Sequence, residues 1–155
     1  MLRSTQLCTK LVASGIAQPK DISGCSDDDV RAIEHSLNVV LPQSYVQFLK
    51  AVGHKGGSLM ADIDYHYSLL ERINADAKKI LDNWEEGRLL LAENAFVFSM
   101  RQGEQFMFFI ADGRSDDPPV YYYIEGAGRF TRIADSIWDV IERELTVQEQ
   151  CRPEP

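Results

Sequence analysis

A chain of 155 residues fits one domain and can bury about 70% of the surface it exposes when unfolded, so its stability requires no disulfide or metal staple. Its 45% hydrophobic content is that of a soluble globular protein, and the longest fully apolar run, Phe106 to Ala111, is too short to span a bilayer, which argues against a membrane protein. The formal net charge is −8, with all 24 acids after residue 20 and only 13 of the 16 Lys and Arg there; such a body repels phosphate backbones and suits a basic protein partner, although acidity also serves plain solubility.

The first twenty residues lack acids and are mildly amphipathic. They are compatible with a transit peptide, but Lys10 interrupts the apolar core that a secretory signal needs. We read residues 1–20 as a helix that packs Leu7, Leu11 and Val12 on the body and ends at Gly15. Cys8, Cys25 and Cys151 are odd in number and lack C-x-x-C spacing, which argues against a disulfide framework and a zinc site and fits a reducing cytoplasm.

The body then spans residues 21–147. Ser26 followed by three aspartates is an N-cap with acids in the first turn, and Val30, Ile33 and Leu37 form the stripe of a helix that breaks at Asn38. Leu41-Pro42 is extended and starts a second helix at Pro42, with Tyr45, Phe48, Leu49 and Val52 at i, i+3, i+4 and i+7 and Gly53 where a left-handed cap is expected. Leu59 to Tyr67 alternates and predicts a half-buried strand, with Ala61, Ile63, Tyr65 and Tyr67 on one face and Asp62, Asp64 and His66 on the other. Leu70, Ile73, Ala77, Ile80, Leu81 and Trp84 predict a long helix that stops at Gly87. Strands follow at Phe96 to Met100, Gln105 to Asp112, Val120 to Glu125 and Phe130 to Ile133, turned at Gln102-Gly103 and Gly126-Ala127-Gly128. Both faces of Phe106 to Ile110 are apolar, so this strand is expected to be central. Pro118-Pro119 stands at a strand entrance, where no ladder donor is lost. Ser136 and Asp139 head a last helix bearing Ile137, Trp138, Ile141 and Leu145, and residues 148–155 are expected to be a mobile tail.

Several residues invite chemistry. Asp62, Asp64 and His66 on one strand face offer metal ligands for a hydrolase, yet same-face residues stand about 7 Å apart, too far to share one ion without a bulge, so a solvated strand edge is the plainer account. His54 and Lys55 lie in a glycine turn but match no phosphate-binding pattern, and no nucleophile elbow or H-E-x-x-H helix occurs. His35 reads as a surface residue. Tyr121, Tyr122 and Tyr123 suggest base stacking, which Asp116, Asp117 and Glu125 oppose; sheet packing fits better. The clusters Asp27 to Asp29, Asp62 with Asp64, Glu85 with Glu86, and Asp116 with Asp117 together make a steering surface for a basic protein.

The acid-capped helix with Ile33 and Leu37, then Leu41-Pro42, Tyr45, Phe48-Leu49 and Gly56-Gly57, resembles the SUKH superfamily. The likeness continues through Phe96 to Met100, Gln102-Gly103, Phe106 to Ile110, Pro118 to Tyr122 and Ser136. Glu104, where an aromatic is expected, and Lys55, where an asparagine is frequent, depart from the pattern. The resemblance implies a single α+β domain whose mainly antiparallel sheet, of about five to six strands, packs against helices. It also implies a non-enzymatic protein without a cofactor. Members include immunity proteins of bacterial polymorphic toxin systems, which bind a cognate toxin, and a yeast regulator of cell-wall synthesis. On that basis Asp62, Asp64, Asp116 and Asp117 are the expected acidic contacts and Tyr65 and Tyr121 the aromatic anchors, with a regulatory binding module of the same fold as the alternative.

Overall fold

The apolar stripes become the inner faces of five helices in the computed structural model, which describes residues 2–151. Helix α1 (Ser4–Ala13) buries Leu7 and Leu11 completely. Val12 is 40% exposed instead of packed, because it lies one step round the helix from Leu11. A two-residue strand β1 (Ile22–Ser23) leads into α2 (Asp27–Leu37), whose start is a reciprocal capping box: Asp29 N–H donates to Ser26 Oγ at 3.1 Å and Ser26 N–H to Asp29 Oδ2 at 2.9 Å. Asn38 ends α2 in the left-handed conformation, with φ 52°.

Helix α3 (Gln43–Val52) starts one residue later than Pro42, which is itself the extended N-cap. Tyr45, Phe48, Leu49 and Val52 are all fully buried, and apolar side chains of this size contribute about 1.5–3 kcal/mol each. Gly53 is right-handed, with φ −59°, so the expected left-handed cap is absent there. What Gly53 supplies is space, since a Cβ would stand 2.5 Å from Cys25 Sγ. The left-handed glycine is Gly57, φ 63°, after strand β2 (Lys55–Gly56), which pairs antiparallel with β1.

Leu59 to Tyr67 does not form the expected strand. Met60 turns left-handed at φ 47°, Ile63 N–H bonds back to Met60 O, and the segment touches a sheet only where Asp64 bridges Met100. Ile63 and Tyr65 still point inward, but Ala61 is exposed. Alternation survived here as the pattern of a turn held against the core.

Helix α4 (Leu70–Trp84) buries Leu70, Ile73, Asn74, Ala77 and Leu81, whereas Trp84 is 58% exposed. Its last turn meets the sheet through Glu85, which follows Trp84 and accepts a 2.6 Å hydrogen bond from Tyr123 Oη. Strands β3 (Ala95–Arg101), β4 (Gln105–Ile110), β5 (Val120–Ile124) and β6 (Thr131–Ala134) form an antiparallel meander in the order β3-β4-β5-β6. Gln102 and Gly103, both at positive φ, turn the first hairpin. As expected, β4 is interior. Phe109 packs against Tyr45, Phe96 and Phe98, while Phe106 and Phe108 pack against Tyr123, Tyr121 and Phe130.

The free edge of β3 is closed by two devices. Asp64 exchanges backbone hydrogen bonds with Met100 at 2.8 and 3.0 Å. The buried Asn74 amide accepts from Val97 N–H and donates to Val97 O, both at 2.8 Å, standing in for a neighbouring strand. Helix α5 (Ile137–Gln150) closes the core with Ile137, Trp138, Ile141 and Leu145. It runs past the boundary expected at residue 148: Gln148 donates to Ser58 O and accepts from Met60 N–H. The part of the expected tail from residue 152 onward lies outside the described residues.

Candidate functional site

Where the residues expected at a partner surface lie follows from the sheet. The loop carrying Asp62 and Asp64 is pinned to the β3 edge beside the β3–β4 turn. Asp116 and Asp117 occupy the β4–β5 connection, beyond the other end of β4, which at about 3.4 Å per residue is about 17 Å away. The structure therefore separates the four aspartates into two patches.

In the first patch Asp62 Oδ2 lies 3.3 Å from Arg101 Nε, off the hydrogen-bond direction, and Asp64 Oδ2 accepts from Arg72 at 3.2 Å. Arg101 also reaches Glu144 at 3.8 Å. Exposed pairs of this kind are worth at most about 1 kcal/mol, so these carboxylates stay available to a partner's cation. Glu104 and Glu125 join them at this end through the 2.9 Å bond from Glu125 N–H to Glu104 O. Beside Arg101 lies a cavity of about 120 Å³ lined by Ile63, Ser99, Met107 and Tyr122 among others.

Tyr65 is not the exposed anchor that the sequence suggests. It is fully buried, 5.7 Å from the Phe48 ring and stacked 4.3 Å from His66, and burial pushes its hydroxyl up to about 12. The turn geometry of its segment, in place of a strand edge, directs it inward. Tyr121 is half-buried and stacks on Phe108 with ring centroids 5.4 Å apart. His66 does not converge with Asp62 and Asp64 as a metal-ligand group among the described residues.

The second patch is partly committed to the fold. Asp117 Oδ1 accepts from Ser136 Oγ at 2.7 Å while that hydroxyl caps Trp138 N–H, and Asp116 O accepts from Ser44 N–H at the start of α3. The Asp116 carboxylate remains exposed. Besides Val12, five exposed apolar side chains escaped the sequence reading: Val40, Trp84, Leu90 at 68%, Ile124 and Val147.

A further group is absent from any sequence motif. Cys25, Asp29 and His54 bring a sulfur, a carboxylate oxygen and a ring nitrogen within 4.8 Å of one another. Asp29 Oδ2 contacts His54 Nε2 at 2.9 Å, and the Ser26 N–H, followed by His54, holds the Asp29 carboxyl below its ordinary range. Burial, followed by the Asp29 charge, pushes the Cys25 thiol up to about 12, so it stays protonated and is a poor nucleophile despite the neighbouring imidazole.

A profile of the SMI1 / KNR4 family (SUKH-1) matches residues 24–143, from just before α2 into α5. The chain belongs to that family. The match bears out the SUKH resemblance and takes in Asp62, Asp64, Asp116 and Asp117 as well as Cys25, Asp29 and His54, while α1 and Glu144 lie outside it. No curated protein matches the chain at a significant level. Among the described residues, no helix is long and apolar enough to cross a membrane.

Proposed function

We propose that this SMI1/KNR4-family protein is a non-enzymatic, cytoplasmic immunity protein of a bacterial polymorphic toxin system, which neutralises a basic cognate toxin, such as a nuclease, by covering its active site. The observation that carries this reading is the first acidic patch. Asp62 and Glu144 pair with Arg101, which lines a cavity large enough for one side chain, and Asp64, Glu104 and Glu125 lie at the same end of the sheet. Carboxylates at a rim raise the association rate, and a side chain seated in a cavity slows release. No cofactor enters this account.

A toxin gene beside this one would favour the reading, and co-expression with its product tests it: growth should be rescued, and the two purified proteins should form a complex. Failure both to bind and to protect overturns the proposal. Binding without protection would instead assign a regulatory module of the same fold.

A further inference from the structure

We propose that Cys25, Asp29 and His54 form a binding site for one zinc ion. The donors come from separate parts of the chain: Cys25 just before α2, Asp29 in its first turn and His54 between α3 and β2. A thiolate, a carboxylate and a neutral imidazole are the donor types zinc takes, and three protein ligands leave the fourth tetrahedral position open to water. Ligand atoms around tetrahedral zinc stand about 3.3–3.7 Å apart, so the observed separations, all within 4.8 Å, need only side-chain adjustment.

The surroundings hold the donors as outer-shell partners do in metal sites. Ser26 N–H fixes the Asp29 carboxylate at 2.9 Å. Tyr67 braces two of the three ligands, with its ring edge against His54 at a centroid distance of 5.2 Å and its hydroxyl donating to Asp29 O at 2.8 Å. Cys25 N–H bonds Leu49 O at 2.8 Å, and Gly53 leaves room for the sulfur that a Cβ would take. His54 and Asp29 are partly exposed, which gives an ion a way in. On binding, the S–H proton leaves to solvent as the Zn–S bond forms, and thiolate and carboxylate together balance the dication.

Calorimetric titration of the full chain with zinc tests the site, and cobalt(II) reports the ligand, since a thiolate ligand gives a charge-transfer absorption. The expected result is one zinc per chain, a cobalt–thiolate band that Cys25→Ser abolishes, and affinity reduced at least about tenfold by His54→Gln. Cys8→Ser and Cys151→Ser should leave binding unchanged. Because Cys25 is buried, thermal melts check the folding of its variant, and the exposed His54 gives an independent test. No saturable uptake at micromolar zinc, no thiolate band with cobalt, or undiminished affinity in folded His54→Gln would overturn the proposal.

Discussion

The hydroxyls of Tyr45 and Tyr65 are buried without a hydrogen-bond partner among the described residues, and burial pushes both pKa values up. A buried polar group without a partner costs stability, so Tyr45→Phe should be neutral or stabilising by about 1–2 kcal/mol, read as a shift in the urea midpoint. A clear loss would show that the hydroxyl is satisfied. Asn74 is the opposite case. Asn74→Ala leaves Val97 N–H and C=O unpaired beneath α4 and should cost about 3 kcal/mol in the same measurement. The sequence gives no hint of this role, because an asparagine on an apolar helix stripe reads as an imperfection until the edge strand beneath it is seen. His66 supplies a pH dependence. Burial lowers its pKa, against the raising effect of the nearby Asp64, so the unfolded chain binds the proton more readily. Stability should therefore fall as pH drops through the ordinary histidine value of 6.5, and denaturation of His66→Gln across that range should show a flatter profile.

Elements were legible where two independent signals coincided. Ser26 with its acids and the Val30 and Ile33 stripe define α2, and Leu41-Pro42 with the Tyr45 to Val52 stripe defines α3. Leu59 to Tyr67 had a single signal, alternation, and a loop pressed against a core produces the same pattern as a strand. Trp84 failed for a related reason: periodicity records which side of a helix faces inward, not how far the covering layer extends. Turns separate two uses of glycine that the sequence does not distinguish. Gly103 has φ 68° and open space around its Cα, so Gly103→Ala should cost only the left-handed strain of about 1–2 kcal/mol. Gly57 has φ 63° and would also place a Cβ 2.5 Å from Ile16 O and from the Ala17 side chain. Gly57→Ala should therefore be the more destabilising, and it should loosen α1 from the body; equal urea midpoints for the two variants would refute the crowding argument.

At the scale of the whole molecule, the acidity read from composition is resolved into position. The acids legible in the sequence as equal clusters are unequal in the fold: Asp117 helps to cap α5, whereas Asp62 and Asp64 ride on a loop whose backbone is fixed to β3 but whose carboxylates face outward. Long-range steering draws on the summed charge and tolerates dispersal, while contact affinity needs acids beside a place where a side chain can be buried. The patch beside the β3–β4 turn combines the two, so charge reversal should separate the effects. If the proposed toxin is the partner, Asp62→Lys with Asp64→Lys should slow association with it by about tenfold at low salt and also speed dissociation. Asp116→Lys should lower the association rate alone, and rising ionic strength should shrink that effect because screening shortens the reach of exposed charge. Stopped-flow association and dissociation at two salt concentrations would read both. Equal changes in dissociation from the two ends of the sheet would mean that the contact surface is not the cavity rim, and would move it to the Asp116 end or to both.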